Sequence, residues 1–176
     1  MTASGPISSP SIGFLTVRDF PELGLIGGYL VLNTTGRPLE FHCTAPVRPN
    51  RTQEILYGPT LVPYLYGEQI AQTLLGKAKA KPLFICTDVE PALAVRNFVA
   101  TPVTLVSENK AASDKLHCFQ LGTREAAVFA NRQQDQEAIA TLWREHAEEL
   151  DLLEPFNRLH EAIDEAQRGA ARSAAA

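Results

Sequence analysis

The chain has 176 residues, 45% of them hydrophobic, so its apolar side chains suffice to bury one core. This composition excludes a disordered chain, and the shortness of the apolar runs predicts no membrane-spanning helix and no membrane partner. The net charge is −4, and the stretch 135–168 has ten acidic and three basic residues. Because such a surface repels phosphate, the charge predicts that duplex nucleic acid is not a partner.

One domain is predicted, with a tail at each end. Residues 1–11 are rich in Ser, Gly and Pro and are predicted to be flexible. A single α/β domain is expected over 12–168, followed by a flexible Ala-rich end over 169–176. No signal-peptide pattern precedes the domain, and three cysteines cannot all pair within the chain, so we expect a cytoplasmic protein with free thiols.

The first predicted unit of the domain is an antiparallel β-hairpin over 25–45. Its two strands are apolar and β-prone, and a Thr-Thr-Gly turn joins them. Gly36 in this turn suits a positive φ angle. A short apolar strand over 13–18 precedes the hairpin, so an antiparallel sheet is expected to begin near the N-terminus.

A loop and a helix are predicted after the hairpin. The stretch 46–59 contains three prolines and is predicted to be a loop, and a helix is expected from about Leu61 to Leu75. Thr60 is a suitable N-cap for this helix, and Gly76 is a suitable residue to end it.

The predicted loop carries a first set of candidate binding residues. Loops on rigid scaffolds often carry function, and this loop follows the best-formed hairpin of the chain. Arg48 and Arg51 are arginines that can fork onto a carboxylate or a phosphate, and Tyr57 lies close to them in the sequence. The alternative is that both arginines pair with surface acids in a loop stiffened by proline.

A strand–helix–strand unit is predicted in the middle of the chain. Apolar strands over 82–87 and 102–107 flank a short helix over 90–98, and this spacing is typical of a parallel βαβ crossover. Two further strands are expected over 115–121 and 126–130. The predicted fold class is therefore α/β with a mixed sheet: an N-terminal hairpin, a βαβ middle and a helical C-terminal part.

Two amphipathic helices are predicted over 132–168, with a break near a proline between them. The first apolar stripe contains Trp143, and the second contains Phe156, Leu159 and Ile163. One interpretation is that both stripes pack on the chain's own sheet. The other, which we take as the prediction, is that the second stripe is exposed and binds a protein partner or a second copy of the chain.

The cysteines offer a metal site or a thiol nucleophile as alternatives. Cys43 and Cys118 each follow a histidine, but neighbours on a strand point to opposite faces and no CxxC or HxxxH spacing occurs. We therefore expect no metal and no cofactor, and predict that Cys43, Cys86 and Cys118 are core residues. A thiol enzyme using Cys43 or Cys86 beside a histidine is kept as an alternative.

A carboxylate–lysine set is the second enzymatic alternative. Asp88 follows one predicted strand, Glu108 and Lys110 follow the next, and Glu68 lies on the preceding helix. This order resembles that of metal-dependent nucleases of the PD-(D/E)xK kind, which implies acids that hold Mg²⁺ and a lysine that orients water. The sequence departs from that pattern because a helix separates Asp88 from Glu108. The other interpretation is that Asp88 caps the following helix and that Glu108 and Lys110 lie in a solvated turn.

No motif in the chain has a complete catalytic signature. No P-loop, dinucleotide glycine fingerprint, GxSxG or HExxH sequence occurs. The main functional prediction is therefore a non-catalytic cytoplasmic interaction or regulatory module that self-associates or binds a protein partner through its C-terminal helices. The alternatives are the metal-dependent nuclease or hydrolase and the thiol enzyme described above.

Overall fold

The computed structural model describes residues 9–108 and 113–175. A mixed β-sheet flanked by helices on both faces makes up this part of the chain, so the predicted α/β class is confirmed. The strands are β1 (Ser11–Phe20), β2 (Gly24–Asn33), β3 (Pro38–Cys43), β4 (Ile85–Thr87), β5 (Val103–Ser107), β6 (Leu116–Leu121) and β7 (Arg124–Phe129). They are ordered β3-β2-β1-β4-β5-β7-β6 across the sheet.

The N-terminal half of the sheet is an antiparallel meander. β1 pairs with β2 along its whole length, and β2 pairs with β3, so the predicted hairpin is confirmed. Gly36 has a φ of +85° in the turn, a conformation that favours glycine. The side-chain oxygen of Asn33 accepts hydrogen bonds from the backbone N–H groups of Thr35 and Arg37, which closes the turn.

Three parallel strands lie at the centre of the sheet. β4 pairs in parallel with β1 on one side and with β5 on the other, as the predicted crossover requires. A 3-10 helix at Glu90–Asn97 connects β4 to β5. Since β1, β4 and β5 run in the same direction, their carboxyl ends meet at one edge of the sheet.

The helical segment after β3 begins about ten residues earlier than predicted. Asn50 caps it through a hydrogen bond from Gln53 N, and the Gln53 side chain accepts from Asn50 N in return. The prediction of a loop over 46–59 is therefore wrong over its second half. The segment consists of α1 (Arg51–Tyr57), a 3-10 turn at Gly58–Thr60, α2 (Leu61–Pro63), a π-helix at Tyr64–Ala71 and α3 (Gln72–Lys77).

The predicted N-cap at Thr60 is also wrong. Its hydroxyl donates a hydrogen bond to the carbonyl of Tyr57 instead of capping a helix. Further along the segment, Gly67 in the π-helix lies so close to the 3-10 helix that a Cβ there would come within 2.6 Å of the Ala94 Cβ. The small side chains of Gly67 and Ala94 therefore allow the π-helix and the 3-10 helix to pack closely on the same face of the sheet.

The two C-terminal helices are α4 (Gln134–His146) and α5 (Glu154–Ala175). The predicted break lies between them, and Pro155 fits in the first turn of α5, where its missing N–H costs little. α5 continues through residues 169–175; whether this end is flexible stays a prediction. Among the described helices, none combines the length and the hydropathy needed to cross a lipid bilayer.

The core has two layers, one on each face of the sheet. The face that we call the α5 side packs α4 and α5 against alternate residues of the strands, among them Phe14, Cys86 and Val106. The opposite face packs the helical segment 51–77 and the 3-10 helix against residues such as Leu15 and Leu105. Strand alternation thus decides which residues at the carboxyl edge of the sheet turn toward α5.

Candidate active-site groove

Polar side chains follow the apolar ones on the α5 side, at the carboxyl ends of the three parallel strands. Thr16 comes two residues after Phe14 on β1, Asp88 comes two residues after Cys86, and Glu108 comes two residues after a buried valine of β5. The register pairs Leu15 with Thr87, so the next residues along, Thr16 and Asp88, are also neighbours. This edge is where open α/β sheets commonly bind ligands.

Helix α5 brings a histidine to these strand ends. Its Leu159 and Ile163 side chains pack over Gly28 of β2, where a Cβ would come within 2.6 Å of the Ile163 Cδ1. This close contact fixes His160, whose Nε2 lies 3.0 Å from Asp88 Oδ2 and 3.3 Å from Thr16 Oγ1. A carboxylate, an imidazole and a hydroxyl therefore meet between β1, β4 and α5.

An arginine of β1 anchors the same stretch of α5. Arg18 donates a hydrogen bond to Asp164 Oδ1 at 2.6 Å and another to the backbone carbonyl of His160 at 3.3 Å. Its guanidinium also lies 4.8 Å from the centre of the Phe20 ring. Arg18 thus holds the helix turn that carries His160 in place.

An open groove of about 480 Å³ lies beside this cluster. Its lining includes four carboxylates against one arginine and one histidine: Asp88, Glu108, Asp151, Glu154, Arg124 and His160. Within this lining, Arg124 Nη2 lies 3.2 Å from Asp151 Oδ2, so the two side chains form an ion pair. The excess of carboxylates gives the groove a negative potential that attracts cations and repels an unaccompanied phosphate.

The groove suits a divalent cation only in part. In the described part of the chain, no three His, Cys, Asp or Glu residues are close enough together to hold a metal ion by themselves. However, Asp88 Oδ1 is buried and has no hydrogen-bond partner among residues 9–108 and 113–175, whereas its Oδ2 contacts His160. Mg²⁺ is often held by one or two carboxylates with water and substrate phosphate as the other ligands, and Asp88 with Glu108 fits that kind of site.

The structure brings together two members of the predicted carboxylate–lysine set. Asp88 and Glu108 line the same groove because β4 and β5 are adjacent strands even though a helix connects them in the sequence. Glu68 is not part of the groove lining; it lies on the π-helix, on the opposite face of the sheet. Lys110 lies outside the described residues.

The cysteines do not converge with a histidine in a common site. Cys86 is fully buried in the core, and burial raises the pKa of its thiol far above the ordinary value. Cys43 and Cys118 are half-buried, so the prediction of three core cysteines is correct only for Cys86. The imidazole of His42, next to Cys43, contacts Glu40 at 3.0 Å.

Burial leads us to expect different reactivities for the thiols. The Cys86 thiol should resist a disulfide reagent in the native protein, because its thiolate form is strongly disfavoured. Cys43 is only half-buried, and burial raises the pKa of its thiol less than that of Cys86, so Cys43 should react before Cys86 and faster as the pH rises. Mass spectrometry of labelled peptides, with and without denaturant, identifies the reacting residues. Rapid native labelling of Cys86 would show that its strand is not in the core.

The candidate binding residues of the 46–59 stretch have local partners. Arg48 donates hydrogen bonds to the carbonyls of Pro21, Glu22 and Leu23, so it holds the β1–β2 turn. Arg51 pairs with Glu54 of its own helix at 3.2 Å. Binding by these arginines stays a prediction.

Tyr57, the third candidate of this stretch, stacks on Tyr64, with the two ring centres 4.1 Å apart. The stack lies on the helical segment and not at the carboxyl edge described above. A binding role for Tyr57 also stays a prediction.

The prediction of an exposed second stripe on the C-terminal helices is wrong. Phe156 is 4% exposed, and Leu159 and Ile163 are 0% exposed, because all three pack against the sheet of their own chain. Trp143 on α4 is half-buried at the edge of the same layer. The apolar face that was assigned to a partner is therefore core.

Sequence reasoning missed four residues that the fold gathers at the carboxyl edge. These are Thr16, Arg18, His160 and Asp164, which connect β1 to α5 across more than 140 positions of sequence. In the sequence, His160 lies beside the second apolar stripe, where a lone histidine is more often packed than catalytic. Its position one residue after the buried Leu159 was the available signal, since it places the imidazole at the rim of the buried face.

Comparison with known proteins gives structural matches only. No protein-family model and no curated protein matches this sequence. The chain is similar to human ENDOV, with 13% identity and a TM-score of 0.52 over 93% of this chain and 86% of that one.

It is also similar to endonuclease V of Ciona intestinalis in complex with a 23mer DNA containing an inosine followed by a ribo-adenosine, with 14% identity and a TM-score of 0.41 over 60% of this chain and 48% of that one. A second complex of the Ciona protein, with a 24mer DNA, matches at 13% identity and a TM-score of 0.38. The chain spans about half the length of the Ciona chains. At 13% identity, the likeness to human ENDOV shows a shared fold and nothing more.

This shared fold corrects two predictions. The main functional prediction, a non-catalytic interaction module that binds a protein partner or a second copy, is wrong, since the chain shares the fold of human ENDOV over 93% of its length. The prediction that duplex nucleic acid is not a partner is overturned by the same likeness. Net charge is a poor guide to a partner because it is a sum over the whole surface and takes no account of cations bound from solution.

Proposed function

We propose that this protein is a nuclease: a phosphodiester hydrolase that acts on nucleic acid in the groove at the carboxyl ends of β1, β4 and β5. The observation that carries the proposal is the meeting of Asp88 and Glu108, from neighbouring parallel strands, with His160 of α5 in one groove. The fold of human ENDOV supports nucleic acid as the substrate class.

The charges of the groove support dependence on a divalent cation. A phosphodiester that enters the groove meets Asp88, Glu108, Asp151 and Glu154, and their repulsion has to be offset. Asp88, through its unpartnered Oδ1, and Glu108 would hold the cation. When bound, it would supply Lewis-acid stabilisation of the phosphate and a lowered pKa of bound water.

The other groove residues would position the substrate and exchange protons. The guanidinium of Arg124 would donate two parallel hydrogen bonds to two oxygens of the substrate phosphate. His160 would exchange protons through Nε2, the ring atom that lies 3.0 Å from Asp88 Oδ2 and 3.3 Å from Thr16 Oγ1. Arg18 acts through the helix backbone at His160 and is a positioning residue.

The test is an Asp88→Asn variant in a cleavage assay with single-stranded and duplex oligonucleotides and Mg²⁺ or Mn²⁺. Loss of the carboxylate should reduce the cleavage rate on the order of 10²-fold or more, as removal of a transition-state charge partner does elsewhere. The melting temperature should change little, because Asp88 lies at a strand end and not in the apolar core.

The matched control is Glu165→Gln, which removes the same charge from the outer face of α5, where Glu165 pairs with Arg168 and Arg172. This variant should keep wild-type activity. Equal cleavage by wild type and Asp88→Asn, or full activity with a chelator present, would refute the proposed site.

A further inference from the structure

A short segment between α3 and β4 concentrates positive charge. Three of the chain's five lysines, Lys77, Lys79 and Lys81, lie within five positions, and no acidic residue occurs from 69 to 87. The net charge of the chain is −4, so this segment differs in sign from the molecule as a whole. We call residues 77–81 the lysine ridge; the proposed reaction does not use its charge.

The lysines and the alanines of the ridge lie on opposite sides of the segment. All three lysines are exposed, whereas Ala78 and Ala80 between them are half-buried against the core on the face opposite to α5. Pro82 follows the ridge, and a residue before proline favours an extended backbone. At about 3.3 Å per residue, alternate side chains of an extended segment are ~7 Å apart. The three ammonium groups therefore form a row that faces water.

The edge strand β3 holds the ridge in place through one carboxylate. Glu40 accepts hydrogen bonds from the backbone N–H of Lys79 at 3.0 Å and from that of Ala80 at 2.8 Å. His42 contacts the same carboxylate at 3.0 Å. Within residues 9–108 and 113–175, no Asp or Glu lies within ion-pair distance of a ridge lysine. Glu40 thus fixes the backbone of the ridge and leaves the three ammonium groups available to a ligand.

The groove needs a source of affinity for a polyanion that its own lining does not supply. Four carboxylates line the groove against one arginine and one histidine. Contacts of Lys and Arg with phosphates supply most of the sequence-independent affinity of proteins for nucleic acid. A lysine acts in such contacts as a point charge that requires no fixed phosphate geometry. A row of three unpaired lysines therefore suits the backbone of a strand whose sequence is not read.

The ridge and the groove lie at opposite ends of the same central strands. Leu83, two residues after the ridge, donates its N–H to the carbonyl of Ser11 at the start of β1, whereas Asp88 follows the end of β4. Lys81 and Asp88 are seven positions apart in the sequence, which limits the distance between their Cα atoms to about 25 Å. A strand of several nucleotides spans this distance, and a mononucleotide in the groove does not.

Two other anionic partners fit the ridge less well. A membrane-binding segment combines basic residues with apolar side chains that enter the lipid, but the apolar side chains of the ridge are alanines that face the core. A protein interface commonly has an aromatic residue or an arginine at its centre, and the ridge has neither. The chemistry of the ridge therefore favours a phosphate backbone.

We propose that the lysine ridge is a second contact surface for nucleic acid, which binds the phosphate backbone of the substrate's flank at a distance from the bond that is cleaved. This inference rests on the proposed nuclease function and adds a feature of the substrate, a strand long enough to reach from the groove to the ridge. Binding at the ridge is independent of base sequence and sensitive to salt, because phosphate contacts release counterions.

The test uses the full chain with Asp88→Asn, so that the probe is not cleaved, and a fluorescein-labelled thymidine eicosanucleotide whose anisotropy is followed over a range of NaCl concentrations. Addition of Lys79→Gln and Lys81→Gln should weaken binding roughly fivefold or more and lower the slope of log affinity against log salt by about 1.4, since each phosphate contact of a single strand contributes ~0.7. Lys77 is kept because it lies in the last turn of α3, where a cation stabilises the helix.

The matched control removes two charges from the far end of α5. Arg168→Gln with Arg172→Gln changes the net charge by the same amount at residues that pair with Glu165, and it should leave affinity and slope close to those of the parent chain. A second measurement needs no folded variant: the lysines of the parent chain are acetylated with and without the oligonucleotide and identified by mass spectrometry. The ridge lysines should be protected severalfold.

The outcomes separate the ridge from the proposed function. Unchanged affinity and slope in the lysine variant, an equal loss in the arginine control, no measurable binding of the oligonucleotide, or equal acetylation of the ridge with and without it overturns the ridge, even if the wild-type enzyme cleaves nucleic acid. Binding to phosphatidylserine vesicles in place of the oligonucleotide also overturns it. Conversely, a wild-type protein that cleaves no nucleic acid but binds the oligonucleotide through these lysines keeps the ridge and loses the nuclease.

Discussion

A Phe156→Asp, Ile163→Asp double variant is expected to be unfolded. Phe156 packs edge-on against Phe14 with ring centres 5.5 Å apart, and Ile163 is 0% exposed above Gly28. Loss of a buried phenylalanine costs about 3–5 kcal/mol, and each unpaired buried carboxylate costs several more. The sum approaches the total stability of about 5–15 kcal/mol of a typical domain, so circular dichroism should show no cooperative thermal transition.

The matched control adds the same two charges to the exposed end of the same helix. An Ala170→Asp, Ala171→Asp variant places both carboxylates in water and should fold and melt close to wild type. If the double variant at Phe156 and Ile163 stayed folded and changed only the oligomeric state in light scattering, the stripe would be an interface and the packing against the sheet would be wrong.

An Asp135→Ala variant is expected to lose about 3–5 kcal/mol of stability, as breaking a buried ion pair does when one charge stays behind. Asp135 of α4 accepts two hydrogen bonds from Arg96, at 2.8 and 3.3 Å, and the two side chains are 6% and 14% exposed. Arg96 also donates to the Val99 carbonyl. The pair therefore connects the 3-10 helix to α4 around the edge of the sheet, and its loss separates the two layers there.

The control for this pair is an ion pair on the surface. Arg51 and Glu54 lie 3.2 Å apart with Arg51 82% exposed, so Glu54→Ala should leave the urea midpoint almost unchanged. If the Asp135→Ala variant unfolded at as high a urea concentration as the Glu54→Ala variant, the Arg96 guanidinium would have to be accessible to water. The bidentate contact between Arg96 and Asp135 would then contribute no stability.

The order of the chain's elements was largely readable from local patterns. The hairpin over 25–45, the parallel pair after it and the two C-terminal helices follow from apolar alternation, turn residues and a proline, all of which act within a few residues. Errors arose where two local signals competed. Three prolines over 46–59 predicted a loop, but the reciprocal hydrogen bonds of Asn50 and Gln53 start a helix there.

The site was predictable only where it lies at strand ends. Asp88 and Glu108 each follow an apolar strand, and adjacency of the two strands is enough to bring them together. Thr16 carries no such signal, because a threonine within a strand is ordinary there, and the place of His160 beside an apolar stripe does not say what the imidazole contacts. Their contact depends on how α5 docks over Gly28, which no local pattern encodes.

The sequence by itself determined the fold class, the strand and helix periods and the position of two carboxylates at strand ends, because these depend on short-range backbone preferences and on apolar spacing. Tertiary structure alone decided what the second apolar stripe contacts, since an amphipathic pattern states which face of a helix avoids water and not which surface covers it. The same docking decided that His160 lines a groove at the end of the parallel strands and that Arg18 contacts the helix turn that carries it. The interaction module gives way to the proposed nuclease because the second stripe is core and because its docking places His160 in the groove with Asp88 and Glu108.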